Sequence, residues 1–495
     1  MPVRNTKPYF IGVDIGTTST KALAVDLSGK VLGSKQQGYP ILTPQPHYAE
    51  QSPEAYFQAV LSTLRDLVKE VSGEGLVGIG FSCAMHGLMA MDASGKPLTN
   101  TLIWADNRSK DYAQELRKGL FAQLLYEQTG TPIHPMSPLC KIAWLRDFQS
   151  ELFQKTDKFI SAKEYVFLRL FGKYVVDYSV ASAMGLMNIH RLCWDKEALA
   201  FAGIDTQQLS RLVPPTHYEQ GLNKRLAEYL GIPVDIPFFI GGSDGCLANW
   251  GVGAIHTEET CLTIGTSGAL RMFTNQPVID PEGRTFCYAF DRNQYLVGGP
   301  INNGGIALQW FKKNFGINTE EEFQKLQNEA TKLPAGAEGL LFLPYLLGER
   351  APHWNANAKG VFFGMQYEHN PAHFLRAVFE GVSYGLKEIA DLLESQQGKV
   401  KHIVANGGFT RSGLWLQIVA NVFQCEVWVP GCAESSALGA AFIAMKGKGF
   451  LQSEKELQEK VKQQKKYLPD FTCQQVYQQE VDKYKRLYHK IKDEF

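Results

Sequence analysis

One short pattern occurs twice in this chain. The apolar run Phe10–Ile15 breaks at Gly16-Thr17-Thr18 and resumes as Lys21–Asp26. Far downstream, Glu259–Ile264 breaks at Gly265-Thr266-Ser267-Gly268 and resumes as Ala269–Phe273. Short apolar runs bounded by Gly and Thr predict strands joined by tight turns. The copies lie on opposite sides of the midpoint of a 495-residue chain, long enough for two or three domains. They predict two related halves.

The surrounding pattern supports an α/β class. A third run at Val31-Leu32 follows the Ser28-Gly29 turn, which predicts an antiparallel meander at the N-terminus. Ser52-Pro53 reads as an N-cap followed by Pro at the first helical position. Phe57, Val60, Leu61, Leu64 and Val68 then recur at helical spacing, giving one apolar face. Gly78–Cys83 returns to a strand. Pro371–Leu393 predicts a long helix with Leu375, Val378, Phe379, Val382, Leu386 and Ile389 on one face. A strand at His402–Ala405 meets Gly407-Gly408, and a helix follows over Gly413–Phe423. Strands alternating with helices imply α/β. The expected division is 1–250, 251–452 and a tail, 453–495, rich in Lys, Glu and Gln and expected as a solvated helical face.

Charge and cysteine usage exclude several function classes. Lys+Arg and Asp+Glu number 50 each, so the chain has no net field for a polyanion, and neither nucleic acid nor an anionic membrane is expected as main partner. No apolar run approaches the ~20 residues of a membrane helix, and the N-terminus shows no secretory leader. The nine cysteines are scattered without CxxC spacing, which predicts reduced thiols and a cytoplasmic location.

A nucleotide enzyme must hold phosphate, and the usual devices are missing. No Walker A sequence occurs. The GxGxxG at Gly73–Gly78 lies between a helix and a strand, the reverse of the dinucleotide context. Gly80–Ala84 lacks the last glycine of a nucleophile elbow, and zinc spacing is absent. The positive signal is Asp14-Ile15-Gly16-Thr17-Thr18-Ser19-Thr20-Lys21. A glycine turn lined by amides and hydroxyls can cradle phosphate, with Lys21 adding charge and Asp14 holding a hydrated Mg²⁺. A plain capped hairpin is the alternative.

Taken in order, a set of motifs resembles the FGGY carbohydrate kinases. They are Asp14–Lys21, Ser82–Gly87 (SCAMHG), Ile103–Arg108 (IWADNR), Met136–Asp147 (MSPLCKIAWLRD) and Gly241–Gly245 (GGSDG). Thr263–Gly268 (TIGTSG), Asn302–Phe311, Gly348–Gly360 and Ala405–Asn421 complete the series. The resemblance implies two actin-like, ribonuclease-H-like domains flanking a catalytic cleft, with ATP and Mg²⁺ as cofactors. It implies Asp244 as the catalytic base, a residue that spacing alone reads as a turn former. Asp14 and Asp244 stand on the metal side. Thr17, Thr18, Lys21, Gly265 and Thr266 correspond to phosphate-facing turns, and Gly305, Gln309, Gly408 and Ser412 flank the nucleotide. Met85, His86, Gly87 and Trp104, with Asp244, correspond to substrate-side positions. Lys141 and Trp144 belong to a family signature and are expected to be structural. The expected partners are a small sugar or sugar acid and ATP, with a homodimer as the one macromolecular assembly.

Within the family, Gly38–Pro46, Gly130–Leu139 and Ile160–His190 look like the gluconate kinases. The expected reaction is therefore phosphorylation of D-gluconate to 6-phospho-D-gluconate. Gly87 departs from that pattern and looks like the xylulose kinases, which form the alternative. A gluconate site must answer a carboxylate, for which Arg108, His134, Lys163 and Arg350 are candidates. An actin- or Hsp70-like ATPase and a sugar sensor without turnover are the rivals from other classes.

Overall fold

The computed structural model describes residues 7–432, 434–461 and 463–495. They form two compact units, and neither is continuous in sequence. The first gathers residues 7–255, Thr274–Leu296 and Glu434–Val461; the second gathers His256–Phe273, 297–432 and 463–495.

The first unit is built on a six-stranded sheet. At its centre Tyr9–Ile15 pairs antiparallel with Ser19–Asp26 on one side and parallel with Leu76–Cys83 on the other. Ser19–Asp26 pairs antiparallel with Val31–Gly38, which completes the meander. Beyond Leu76–Cys83 come the parallel strand Phe238–Ser243 and an antiparallel edge, Tyr218–Glu219. Tyr9–Ile15 is a near-continuous apolar run because it is covered on both faces, whereas Val31–Gly38 is polar and largely exposed. The helix Pro53–Val71 starts where Ser52 Oγ accepts from Ala55 N, and its predicted face is buried. Each fully buried Leu, Val or Phe there contributes roughly 1.5–3 kcal/mol.

A second helix, Ser435–Gly447, reaches this sheet from the far end of the chain. Its backbone comes so near that a Cβ at Gly12 would lie 1.7 Å from Ala437 O, and one at Gly80 would lie 2.0 Å from Ala440 O. Only glycine fits at either place.

The second unit repeats the plan. Glu259–Ile264 pairs antiparallel with Gly268–Thr274 and parallel with His402–Asn406. Gln294–Ile301 lies beside Gly268–Thr274. On the other side follow the parallel strand Glu426–Pro430 and the antiparallel edge Gln463–Tyr467. Meander, two parallel strands and an antiparallel edge therefore recur in the same order. The predicted long helix runs Pro371–Gln397, with its apolar face buried.

The tail departs from the solvated helix expected of it. Gln463–Tyr467 supplies the edge strand, and the helix Gln474–Ile491 buries Tyr477, Val481, Tyr484, Leu487 and Tyr488. Val481 and Leu487 complete, with the three tyrosines, an apolar stripe at three- and four-residue spacing whose hydroxyls can still be satisfied. Tyr484 OH accepts from Tyr345 OH at 2.9 Å, and Arg376 Nη2 donates to Tyr477 OH at 3.0 Å. Among the described residues no helix is long and apolar enough to cross a membrane.

Candidate active site

In the first unit three parallel strands end together and deliver most of the predicted residues. Tyr9–Ile15 and Leu76–Cys83 run in register, with Asp14 beside Ser82, and Gly242 of Phe238–Ser243 pairs with Ser82 from the other side. Asp14, the Ala84–Gly87 turn and Asp244 therefore emerge at one edge. The carboxyl ends of parallel strands are where open α/β sheets bind ligands.

Ser82 Oγ donates to Asp14 Oδ1 at 2.7 Å. Burial and then the charge of Asp244 raise the Asp14 carboxyl to about 6, against the lowering effects of Ser82 and Lys21. Two facing carboxylates under partial desolvation disfavour each other's ionised form. A hydrated Mg²⁺ would relieve that repulsion and needs only one or two protein carboxylates, so these residues fit the ion. Among the described residues no group of three or more His, Cys, Asp or Glu forms a fuller metal cage.

The Gly16–Ser19 turn is closed by Gly16 N donating to Ser19 O at 3.0 Å. Thr18 is exposed at its tip. Thr17 is tied to two neighbouring side chains, since Trp104 Nε1 donates to Thr17 Oγ1 at 3.0 Å and Gln51 Nε2 donates to Thr17 O. Lys21 is already paired, its Nζ 2.7 Å from Glu434 Oε2. Both side chains of that pair are about one-third exposed, so a phosphate could compete with Glu434 for the ammonium.

His86 holds a positive φ of 63° and is buried. Its Nδ1 lies 2.8 Å from Ala183 O. A carbonyl can only accept, so Nδ1 carries a hydrogen. The Tyr288 ring stands edge-on at 6.0 Å. Met85 and Gly87 flank His86, both partly buried. Lys141 has the structural place expected of it, fully buried, donating to His86 O, Leu102 O and Ile103 O at 2.9, 3.3 and 2.8 Å. It joins the backbone beside His86 to that beside Trp104, and burial pushes its ammonium down to about 7.

Asp244 is the first residue of the helix Asp244–Val252, whose N-cap Ser243 accepts from Cys246 N. Asp244 Oδ1 accepts from Gly245 N at 2.7 Å. The carboxylate therefore stands at the positive end of a helix while staying partly open to solvent.

The second unit gathers the remaining residues at the corresponding sheet end. Glu259–Ile264 and His402–Asn406 run parallel with Thr263 beside Asn406, so the Gly265-Thr266 and Gly407-Gly408 turns adjoin. Gly305 N donates to Gly265 O at 2.6 Å and Ile306 N to Thr266 O at 3.0 Å. Gly305 is glycine because a Cβ would meet the Gly265 carbonyl at 2.6 Å, whereas a Cβ at Gly265 or Gly408 would meet nothing within 4 Å. Gln309 is exposed on the helix Gly305–Asn314. Ser412 caps the helix Gly413–Phe423 and donates to Gln327 Oε1 at 2.5 Å.

Of the four carboxylate-binding candidates, Arg108 and Lys163 have their charges taken up. Arg108 pairs with Glu50 at 2.5 Å and Asp106 at 2.8 Å, stacked over Tyr48. Lys163 pairs with Asp177 at 2.6 Å, both fully buried. His134 Nδ1 accepts from Met136 N at 3.1 Å, and Arg350 lies in the second unit, donating to Ile301 O at 3.0 Å. Sequence reasoning missed Ser82, Glu434 and the Lys163–Asp177 pair. Ser82 was within reach, one strand across from Asp14; the others are long-range and leave no local signal.

Family models of the FGGY carbohydrate kinases match the chain in both halves, the N-terminal domain over residues 9–251 and the C-terminal domain over 261–447. The chain is 45% identical to a gluconokinase of Bacillus licheniformis over 454 residues, 90% of this chain and 88% of that protein. Its fold matches a crystal structure of gluconate kinase from Lactobacillus acidophilus with a TM-score of 0.94 at 36% identity, covering 98% of both chains. A ligand-bound xylulose kinase from the same organism matches equally, with a TM-score of 0.94 at 37% identity and 98% of both chains covered.

Proposed function

The chain belongs to the FGGY family of carbohydrate kinases, and from that premise we propose that it transfers the γ-phosphate of ATP to D-gluconate, yielding 6-phospho-D-gluconate and ADP. The observation that carries the choice of sugar is the 45% identity to a gluconokinase over nine-tenths of the chain. It agrees with the gluconate-kinase-like stretches Gly38–Pro46, Gly130–Leu139 and Ile160–His190.

In this reading the substrate hydroxyl lies within hydrogen-bond reach of Asp244. As its oxygen bonds to the γ-phosphorus, the bond to the ADP oxygen breaks and the hydroxyl proton passes to the Asp244 carboxylate. Phosphoryl transfer needs chiefly positioning and charge stabilisation, so the proton acceptor and the phosphate turns carry most of the protein's share. Asp14 and Asp244 would hold Mg²⁺, which would supply charge neutralisation on the phosphate oxygens when bound. Thr17, Thr18 and Lys21 offer hydroxyls and a cation to phosphate, and Gly265 and Thr266 offer amides and a hydroxyl. Gly305, Gln309, Gly408 and Ser412 border the nucleoside. His86, its Nδ1 donating to Ala183 O, and Met85, Gly87 and Trp104 wall the sugar. Free thiols at all nine cysteines and the use of ATP agree with a cytoplasmic enzyme, and a homodimer is the assembly that sedimentation would test.

A xylulose kinase is the second reading, favoured by Gly87 and by the equal structural match to a xylulose kinase. Coupled ADP release with ATP and Mg²⁺ separates the two, comparing D-gluconate, D-xylulose, L-ribulose, glycerol and no sugar. Gluconate-dependent turnover is expected. Preference for xylulose would transfer the assignment, and sugar-independent turnover would overturn the kinase reading.

A further inference from the structure

The first unit buries a lysine and an aspartate that no step above uses. Lys163 and Asp177 are both fully buried, with Nζ 2.6 Å from Asp177 Oδ2. Such a pair contributes little net stability, because desolvation offsets most of the attraction. Its neighbours show what else it holds. Lys163 Nζ donates to Gly242 O at 2.9 Å. Asp177 Oδ1 accepts from Ser179 N at 3.0 Å, Val180 N at 3.1 Å and Ser179 Oγ at 2.5 Å. With its hydrogen given to Asp177, Ser179 Oγ is left as an acceptor, and Ser243 N donates to it at 2.8 Å.

Gly242 O and Ser243 N belong to one peptide group. It is the peptide that precedes Asp244 by one residue, at the junction of the strand Phe238–Ser243 and the helix Asp244–Val252. Its carbonyl is held by the cation and its N–H by the hydroxyl that the anion orients. The plane of a peptide is rigid, so gripping both ends fixes the direction in which the chain leaves the strand. Gly242 is closely covered as well, since a Cβ there would lie 2.8 Å from Phe290 Cε2 and 3.2 Å from Ser179 Oγ.

We propose that Lys163, Asp177 and Ser179 are positioning residues for phosphoryl transfer, a buried clamp on the Gly242–Ser243 peptide that aims the Asp244 carboxylate at the substrate hydroxyl. The proposal rests on Asp244 being the base. A displacement of about 1 Å at a reacting group can cost on the order of 10²-fold in rate, and the clamp supplies the rigidity that prevents it.

The test measures the single-turnover phosphorylation rate, KM for gluconate and Kd for ATP in the full-length protein. Ser179→Ala removes the acceptor for Ser243 N and the donor to Asp177. The expected result is a rate lowered 10- to 100-fold with KM and Kd within threefold of wild type, and recovery of most of the rate in Ser179→Thr, which restores the hydroxyl. A double variant, Lys163→Met with Asp177→Asn, removes both charges together and leaves neither stranded; the same selective loss of rate is expected. This pair of changes decides the matter if Ser179→Ala does not fold. Asp244→Ala separates the two layers of the argument. If it is inactive while Ser179→Ala and the double variant keep the wild-type rate within threefold, the clamp is refuted and the base stands. If Asp244→Ala retains substantial turnover, the base reading fails and the clamp fails with it. A loss in Ser179→Ala that Ser179→Thr does not recover, or one confined to KM or thermal stability, assigns the network a structural role only.

Discussion

The Asp14 carboxyl is held near pH 6 because burial and the charge of Asp244 both oppose its ionised form. A carboxyl whose folded pKa exceeds its unfolded value binds more protons folded than unfolded between those two values. Ionised Asp14 therefore costs stability above about pH 6, and the cost fades as pH falls toward 3.8. A shift of this size corresponds to about 2–3 kcal/mol. Asp14→Asn should accordingly raise the denaturation midpoint of the ligand-free protein at pH 8, by about 1–3 kcal/mol in stability, with the gain shrinking at pH 4.5. A pH-independent difference would show that the carboxyl is not strained. The same variant should lose more than about 100-fold in activity. For Asp244→Ala, a loss of about 10²–10⁴-fold is expected from removal of a general base, with Kd for ATP within threefold. At Gly87 a Cβ would lie 3.3 Å from Thr101 Cγ2, close but tolerable after a small shift. Gly87→Ser should raise the ratio of kcat/KM for gluconate over xylulose by about two- to tenfold, the worth of one hydrogen bond. An unchanged ratio would remove Gly87 from sugar choice. The Gly16–Ser19 turn was legible because the residues that close it adjoin in sequence, whereas Asp14's partners Ser82 and Asp244 lie far along the chain. Lys163 was not legible: a lysine reads as a surface charge until Asp177 and Gly242 O are seen around it.

At the scale of elements, the meander, the helix Pro53–Val71 and the long helix Pro371–Gln397 follow from apolar period and capping residues, which are local. Strand order does not, because pairing between Tyr9–Ile15 and Leu76–Cys83, or between Glu426–Pro430 and Gln463–Tyr467, depends on what lies across the sheet. The tail was misjudged for a related reason. Its Lys, Glu and Gln content dominates composition, while the buried tyrosines at 477, 484 and 488 are visible only as a stripe. Glycines were the other element-scale signal that composition hides. Gly80 reads as one residue of a near nucleophile elbow, yet its role is to admit the helix Ser435–Gly447 to the sheet. Gly80→Ala drives a methyl to 2.0 Å from Ala440 O, and overpacking of this kind costs about 1–3 kcal/mol or more. The expected result is a lower denaturation midpoint and reduced soluble yield. A midpoint equal to wild type would mean that the helix can move away without loss.

At the scale of the whole molecule, the duplicated sheet plan was foreshadowed by the two strand–turn–strand copies, but the exchange of segments was not. The first unit takes back Glu434–Val461 after the chain has built most of the second. No hydrophobic period announces such a return, because the helix Ser435–Gly447 is apolar nearly all round and would read the same in either unit. The consequence is physical. Without that helix the sheet leaves Gly12 and Gly80 uncovered, together with the backbone surface that they exist to expose to it. An uncovered apolar sheet face is an aggregation site. A fragment of residues 1–255 joined to 274–296 by a flexible linker, which leaves out the second unit's His256–Phe273, should therefore be insoluble or molten, binding a hydrophobic dye and lacking a cooperative transition. The same fragment joined through a flexible linker to residues 434–461 should recover solubility and cooperative unfolding. Circular dichroism and thermal denaturation of the two fragments decide the point. If the fragment without residues 434–461 unfolds cooperatively, at the midpoint of the fragment that carries them, the returning helix is dispensable and the covering role assigned to Ser435–Gly447 is wrong.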